Sequence, residues 1–168
     1  MARHLALLNS EFRSCTDFLY KGLRFVNGAY LTISNSRFYD AKKAINIIGN
    51  CIGRISNSHF ECNRVGISLN SATTIGISDN VFKCPVGIKA DETLPFNPNK
   101  VRAHAGIEAT NNSHVIASSN YFQQLYYGII IIKSTIAASG NEFRYMIIKT
   151  YGQQTYGSGD GGYCVYSS

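Results

Sequence analysis

The residues best suited to acid–base or charge-neutralising chemistry lie close together in the second half of a 168-residue chain. Asp91 and Glu92 are adjacent carboxylates, Lys100, Arg102 and His104 follow at every second position, and Glu108 comes just beyond them. A lysine, arginine or histidine in such company suits removal of a proton from an acidic substrate or neutralisation of its carboxylate. Hydrolysis of a glycosidic bond asks for two carboxylates facing each other across it, and the chain has no Asp-Asp pair. A hard cation would want more oxygen ligands than Asp91 and Glu92 supply, and no Cys-x-x-Cys or His/Cys spacing points to zinc. No metal or cofactor is therefore expected. Tyr126 and Tyr127 add flat apolar faces with polar tips, which suit a sugar ring or a protein surface. The expected site thus has Lys100, Arg102 and His104 as catalytic candidates, with Asp91, Glu92, Glu108, Tyr126 and Tyr127 as ligand contacts.

These residues flank an interruption in a repeat. One phrase recurs around a phenylalanine: Ile33-Ser34-Asn35-Ser36-Arg37-Phe38, Ile55-Ser56-Asn57-Ser58-His59-Phe60, Ile77-Ser78-Asp79-Asn80-Val81-Phe82, Ala117-Ser118-Ser119-Asn120-Tyr121-Phe122 and Ala138-Ser139-Gly140-Asn141-Glu142-Phe143, with a degenerate first copy ending at Phe12. The spacings are 26, 22, 22, 40 and 21 residues. A second phrase keeps step about seven residues later, at Ala44-Ile45-Asn46-Ile47, Gly66-Ile67-Ser68-Leu69, Gly87-Ile88-Lys89-Ala90, Gly106-Ile107-Glu108-Ala109 and Gly128-Ile129-Ile130-Ile131. Both phrases alternate apolar and polar positions, the period of a half-buried strand, and no segment keeps a long helical period. A repeat near 22 residues is too short for helix-pair solenoids. The sequence therefore predicts coils of parallel strands stacked about 4.8 Å apart.

In that register the phenylalanines form an inner column. Asn35, Asn57 and Asp79 mark one bend column, and Ser36, Ser58, Asn80, Asn120 and Asn141 the next, because Asn tolerates left-handed backbone and stacked amides hydrogen-bond from coil to coil. Cys62 and Cys84, each two residues beyond its phenylalanine, are expected to be neighbours on successive coils, either as a disulfide or as two packed thiols. Serines 34, 56, 78, 118 and 139 form a row beside the turn.

The paired phrases resemble the parallel β-helix repeat of pectate-lyase-like proteins over about residues 5 to 150. The resemblance implies an all-β, right-handed parallel β-helix of six to seven coils. That superfamily includes polysaccharide lyases, glycoside hydrolases, epimerases, phage tailspikes and bacterial surface proteins, so it does not fix an activity. The expected organisation is a solenoid over 1–150 with a projecting loop at 91–105, then a Gly/Tyr/Ser-rich tail or cap at 151–168.

Composition narrows the function. With 45% hydrophobic residues the chain can bury a continuous core, and no stretch is apolar for the 18 or more residues that a membrane helix needs. Sixteen Lys and Arg against ten Asp and Glu give a net charge of +6, which favours an anionic partner. The basic residues read as scattered and no nucleic-acid-binding motif is present, so nucleic acid is not the expected partner. The apolar part of the N-terminal segment is too short for a secretory signal. No amphipathic helix precedes Leu5 to cap the first coil, which points to a segment of a larger chain or to partners covering the ends. The expectation is a non-catalytic structural or glycan-interacting module of an exported or cell-surface protein, whose partners are polysaccharide or protein chains covering the solenoid ends. The alternatives are a polysaccharide lyase, hydrolase or epimerase acting on an acidic glycan, and a viral or phage fibre segment, which would be trimeric.

Overall fold

The computed structural model describes residues 3–89, 103–146 and 163–168. They form six coils, each giving one strand to each of three parallel sheets, and no helix occurs among them. The first sheet stacks β1 (Arg3–Leu8), β4 (Ala29–Ser34), β7 (Ile52–Ser56), β10 (Thr74–Ser78), β13 (His114–Ser118) and β16 (Thr135–Ser139). The second stacks the short strands β2 (Glu11–Phe12), β5 (Arg37–Tyr39), β8 (His59–Glu61), β11 (Val81–Lys83), β14 (Tyr121–Gln123) and β17 (Glu142–Arg144). The third stacks β3 (Leu23–Val26), β6 (Lys43–Ile48), β9 (Val65–Asn70), β12 (Ala105–Thr110), β15 (Tyr127–Ile132) and β18 (Tyr163–Ser167). The chain is an all-β parallel solenoid.

Each coil closes because one residue per bend adopts left-handed backbone. Between first and second sheets these residues are Asn9, Asn35, Asn57, Asp79, Ser119 and Gly140, with φ between 50° and 60°. Asn and Asp reach this region at low cost and Gly at none, which accounts for their recurrence. The adjoining column does different work. Asn80, Asn120 and the serines 36 and 58 are only 1% exposed, and they form a buried polar ladder. The Asn80 side-chain amide donates to Asn120 Oδ1 at 3.0 Å, and Asn120 donates in turn to Asn141 Oδ1 at 3.0 Å. Asn80 Oδ1 also accepts from the Ser58 N–H at 2.9 Å, and Asn120 Oδ1 from the Asn80 N–H at 3.1 Å. The turn would otherwise bury these amides unpaired, at a cost of about 1–3 kcal/mol each.

Inside, the six rings of Phe12, Phe38, Phe60, Phe82, Phe122 and Phe143 stack with centroids 4.7 to 5.2 Å apart and planes within 11°. A second column runs through Leu23, Ile45, Ile67, Ile107, Ile129 and Val165 at paired positions of the third sheet. The glycine of the second phrase makes room for the rings. A Cβ at Gly106 would stand 2.6 Å from the Phe122 ring, and one at Gly128 would stand 2.4 Å from Phe143. Along the inward columns cover thins at the outermost coils: Leu5 is 40% and Val165 44% exposed, whereas Ile45, Ile67, Ile107 and Ile129 are fully buried.

Two boundaries differ from the sequence reading. Gly87-Ile88 is not a strand; Gly87 takes φ +99° and Pro85 brings no N–H for pairing, so the phrase repeats in letters only. The third-sheet strand of that coil is β12, whose Ile107 pairs with Ile67 and Ile129. Ala103, His104 and Ala105, assigned to the loop, belong to the coil: the His104 and Ala105 N–H groups both donate to the Arg64 carbonyl, at 2.7 and 3.2 Å. The C-terminal segment also supplies a coil strand, since β18 pairs with β15. Asp91, Glu92, Lys100 and Arg102 lie outside the described residues.

Candidate functional site

The three outer faces carry different chemistry. On the first sheet, paired columns run His4, Tyr30, Ile52, Thr74, His114, Thr135 and Ala6, Thr32, Arg54, Gly76, Ile116, Ala137, with Arg54 the one fixed charge in these two columns. The second sheet is charged, and its three carboxylates are all paired with cations. Lys83 Nζ lies 3.1 Å from Glu61 Oε2 on the next coil, Arg13 lies 3.4 Å from Glu11, and Arg144 pairs with Glu142. Basic residues collect on the third sheet and on the corner leading into it.

That corner aligns basic residues that lie far apart in sequence. Tyr20 bridges in parallel to Ala41, and the Lys42 N–H donates to the Tyr20 carbonyl at 2.7 Å, which sets Lys21 beside Lys42. The Val65 N–H donates to the Lys42 carbonyl at 3.1 Å, the Ala105 N–H to that of Arg64, and the Tyr127 N–H to that of His104 at 2.8 Å. Lys21, Lys42, Arg64, His104 and Tyr126 are thus successive rungs of one column, about 4.8 Å apart. Arg24 and Lys43 stand beside it on β3 and β6. Two adjoining cavities open here. One of about 310 Å³ is lined by Lys42, Lys43, Arg64, Val65, His104 and Glu108. The other, about 530 Å³, shares Lys42 and Lys43 and adds Lys21, Arg24, Asn46 and Ile48. Among the described residues, five cations and one carboxylate, Glu108, line this groove.

The carboxylate is held rather than presented. Lys43 Nζ lies 3.4 Å from Glu108 Oε2 and donates to Ser68 Oγ at 2.9 Å, while the Ser68 hydroxyl donates to the same Glu108 oxygen at 3.1 Å. Ser68 and Glu108 share an outward column of the third sheet, so the triad spans three coils. His104 beside it has its pKa lowered, chiefly by burial and further by Arg64 and Lys43, with Glu108 opposing. Its imidazole is therefore neutral at pH 7.

Beyond coil 4 the same face turns aromatic. Tyr127 stacks on Tyr163 at 5.8 Å with planes 5° apart, and Tyr166 meets both rings edge-on at 5.9 and 5.8 Å. Tyr163 and Tyr166 are each 39% exposed, so ring surface is open to a ligand. His104 packs edge-on to Tyr127 at 5.3 Å, joining the basic and aromatic parts.

Of the residues singled out from sequence, His104, Glu108 and Tyr127 come together on this face. Tyr126 is 2% exposed with its hydroxyl unpartnered, so it supports Tyr127 from beneath and offers no face to solvent. Sequence reasoning missed Lys21, Arg24, Lys42, Lys43, Arg64 and Ser68. The available signal was register: Lys42, Arg64 and Tyr126 each stand four residues after a core phenylalanine. The basic residues that read as scattered are periodic at this corner. Among the described residues no group of His, Cys, Asp and Glu is arranged to hold a metal ion, and no helix is long and apolar enough to cross a membrane.

No family model, no curated protein and no solved structure matches the chain.

Proposed function

We propose that this chain is a non-catalytic β-helix module, of the pectate-lyase-like kind, that holds an acidic polysaccharide on the outer face of its third sheet as part of an exported or cell-surface protein. The observation that carries this reading is the continuity of the cationic column Lys21–Lys42–Arg64 with the tyrosine cluster of Tyr127, Tyr163 and Tyr166. A polyuronate offers one carboxylate per sugar along an extended chain, and a stacked coil offers one cation per rung of about 4.8 Å. Guanidinium and ammonium groups take carboxylates through charge-assisted hydrogen bonds, and tyrosine faces take the apolar face of a pyranose. The first sheet carries Arg54 as the one fixed charge of its two outer columns, and the carboxylates of the second sheet are paired with its cations. Calorimetric titration with a uronate hexamer and with a neutral hexamer of equal length tests the reading. Saturable binding of the acidic chain that weakens with salt is expected; equal binding of both, or of neither, would refute it.

One observation favours a second reading, a polysaccharide lyase. The His104 ring shares a cavity with Lys43 and Arg64, an arrangement that suits β-elimination from a uronate. His104 would take the proton next to the carboxylate, Arg64 and Lys43 would steady the developing negative charge, and the bond to the leaving sugar would break as a double bond forms. Ultraviolet absorbance of the unsaturated product separates the readings: a binding module produces none.

A further inference from the structure

Cys62 and Cys84 stand at equivalent positions of coils 3 and 4, each two residues beyond a stacked phenylalanine. Their backbones are joined where the Cys62 N–H donates to the Lys83 carbonyl at 2.9 Å. Their side chains converge further, for the two thiols share a hydrogen bond with the sulfurs 3.3 Å apart. Both residues are buried, at 5% and 0% exposure. The other three cysteines differ: Cys51 is buried with its thiol on the Ile48 carbonyl, while Cys15 and Cys164 are exposed. Equivalent residues of neighbouring parallel strands lie about 4.8 Å apart, inside the Cα window of about 4.4–6.8 Å that a disulfide requires. Bond formation then asks only for side-chain rotation that brings the sulfurs from 3.3 Å to about 2.0 Å.

We propose that Cys62 and Cys84 form a disulfide that staples coil 3 to coil 4 when the protein folds in an oxidising compartment. The oxidant is a small-molecule disulfide such as oxidised glutathione. One cysteine thiolate attacks a sulfur of that disulfide and releases one glutathione thiol, and the second cysteine then displaces the other. The two cysteines lose two protons and two electrons, and the oxidant becomes two thiols. In the folded, reduced protein the pair reacts slowly. The hydrogen bond shared with Cys84, when the Cys62 thiol holds the proton between the sulfurs, and burial both raise the Cys62 thiol's pKa, and only the thiolate attacks. The bond therefore forms during folding, before the corner closes. Its position ties it to the outer face, because Arg64 lies two residues beyond Cys62 and Cys84 directly follows the end of β11. The staple fixes the rung that bears Arg64.

The test uses the full chain carrying Cys15→Ser and Cys164→Ser, two exposed substitutions that remove competing thiols. It is refolded in a mixture of reduced and oxidised glutathione, alkylated without reduction, and analysed by intact mass and peptide mapping. The expected result is a mass about 2 Da below the reduced protein, a cross-linked peptide joining Cys62 to Cys84, and a Tm raised by about 5–10 °C that reductant reverses. Alkylation of both Cys62 and Cys84 would overturn the proposal. So would a Cys62–Cys84 bond that leaves Tm unchanged or lowers it, since that bond would not be a staple.

Discussion

On the third sheet the first four coils and the last two share one backbone register and one core, yet their outer faces differ. Coils 1 to 4 place Lys21, Lys42, Arg64 and His104 on successive rungs of the corner. The next rung holds the buried Tyr126, and in the adjoining column Tyr127 stacks on Tyr163. The interior does not register this change, because the phenylalanine rings stack at 4.7 to 5.2 Å throughout. In a solenoid the inward positions are fixed by their neighbours one coil away, whereas outward positions answer only to what lies against them. A ladder of one charge per coil can therefore give way to aromatic surface without disturbing the fold. On the proposed binding function, the basic half reads charge at long range and the aromatic half reads shape at contact.

The comparison breaks most readily in the core, where the largest effects are expected. Phe60 lies beneath the basic half and Phe122 beneath the aromatic half, and Ala at either position should cost about 3–5 kcal/mol through the cavity it leaves. Chemical denaturation of both variants checks this. Markedly unequal losses would show that the two halves do not share one core.

The next effect is on binding. The double variant Lys42→Ala, Arg64→Ala removes two charge-assisted contacts and should weaken a uronate oligomer about 10- to 100-fold while flattening its salt dependence. Tyr163→Ala should weaken the same ligand only about 2- to 10-fold and leave the salt dependence unchanged. Calorimetry at two ionic strengths reads both. If the tyrosine variant altered the salt slope, or the basic variant did not, the division of labour would be wrong.

The smallest effect sharpens the boundary at His104. Its folded pKa lies below its ordinary value of 6.5. The unfolded chain therefore binds the proton more readily, and the imidazole's contribution to stability is fully present above pH 6.5 and is lost as pH falls through the folded pKa. Denaturation midpoints between pH 7.5 and 5 should fall less in His104→Gln than in the unsubstituted chain. Binding should respond the other way: protonation adds a fourth cation to the column, so acidic-glycan affinity should rise as pH falls, and His104→Gln should abolish that rise.

Much of the scaffold was legible in the sequence because its determinants are local and repeated. The phenylalanine spacing, the apolar alternation and the Asn-Ser bend each recur within a coil, so comparing a few copies placed Phe38 on Phe60 and Cys62 beside Cys84. The two bend columns looked alike in composition, and only the structure separates left-handed Asn57 from ladder-forming Asn80. The face was harder to see for a related reason. Lys21 and His104 each follow an insertion that changes their distance from the preceding phenylalanine, so their membership in the column depends on pairing rather than on spacing. Tyr163 is hidden the same way: it stands 20 residues after Phe143, where Tyr127 stands five after Phe122. Outward side chains also carry no packing constraint, so nothing inside a single coil marks Arg64 as part of a site.

The most direct test of the central claim is the footprint of a uronate hexamer on the isotopically labelled protein, followed by nuclear magnetic resonance. Shifts at Lys42, Arg64, His104, Tyr127 and Tyr163, tracing one line along the third sheet and crossing from the basic to the aromatic half, are the expected result. Shifts confined to the first or second sheet, or scattered over lysines on every face, would contradict it.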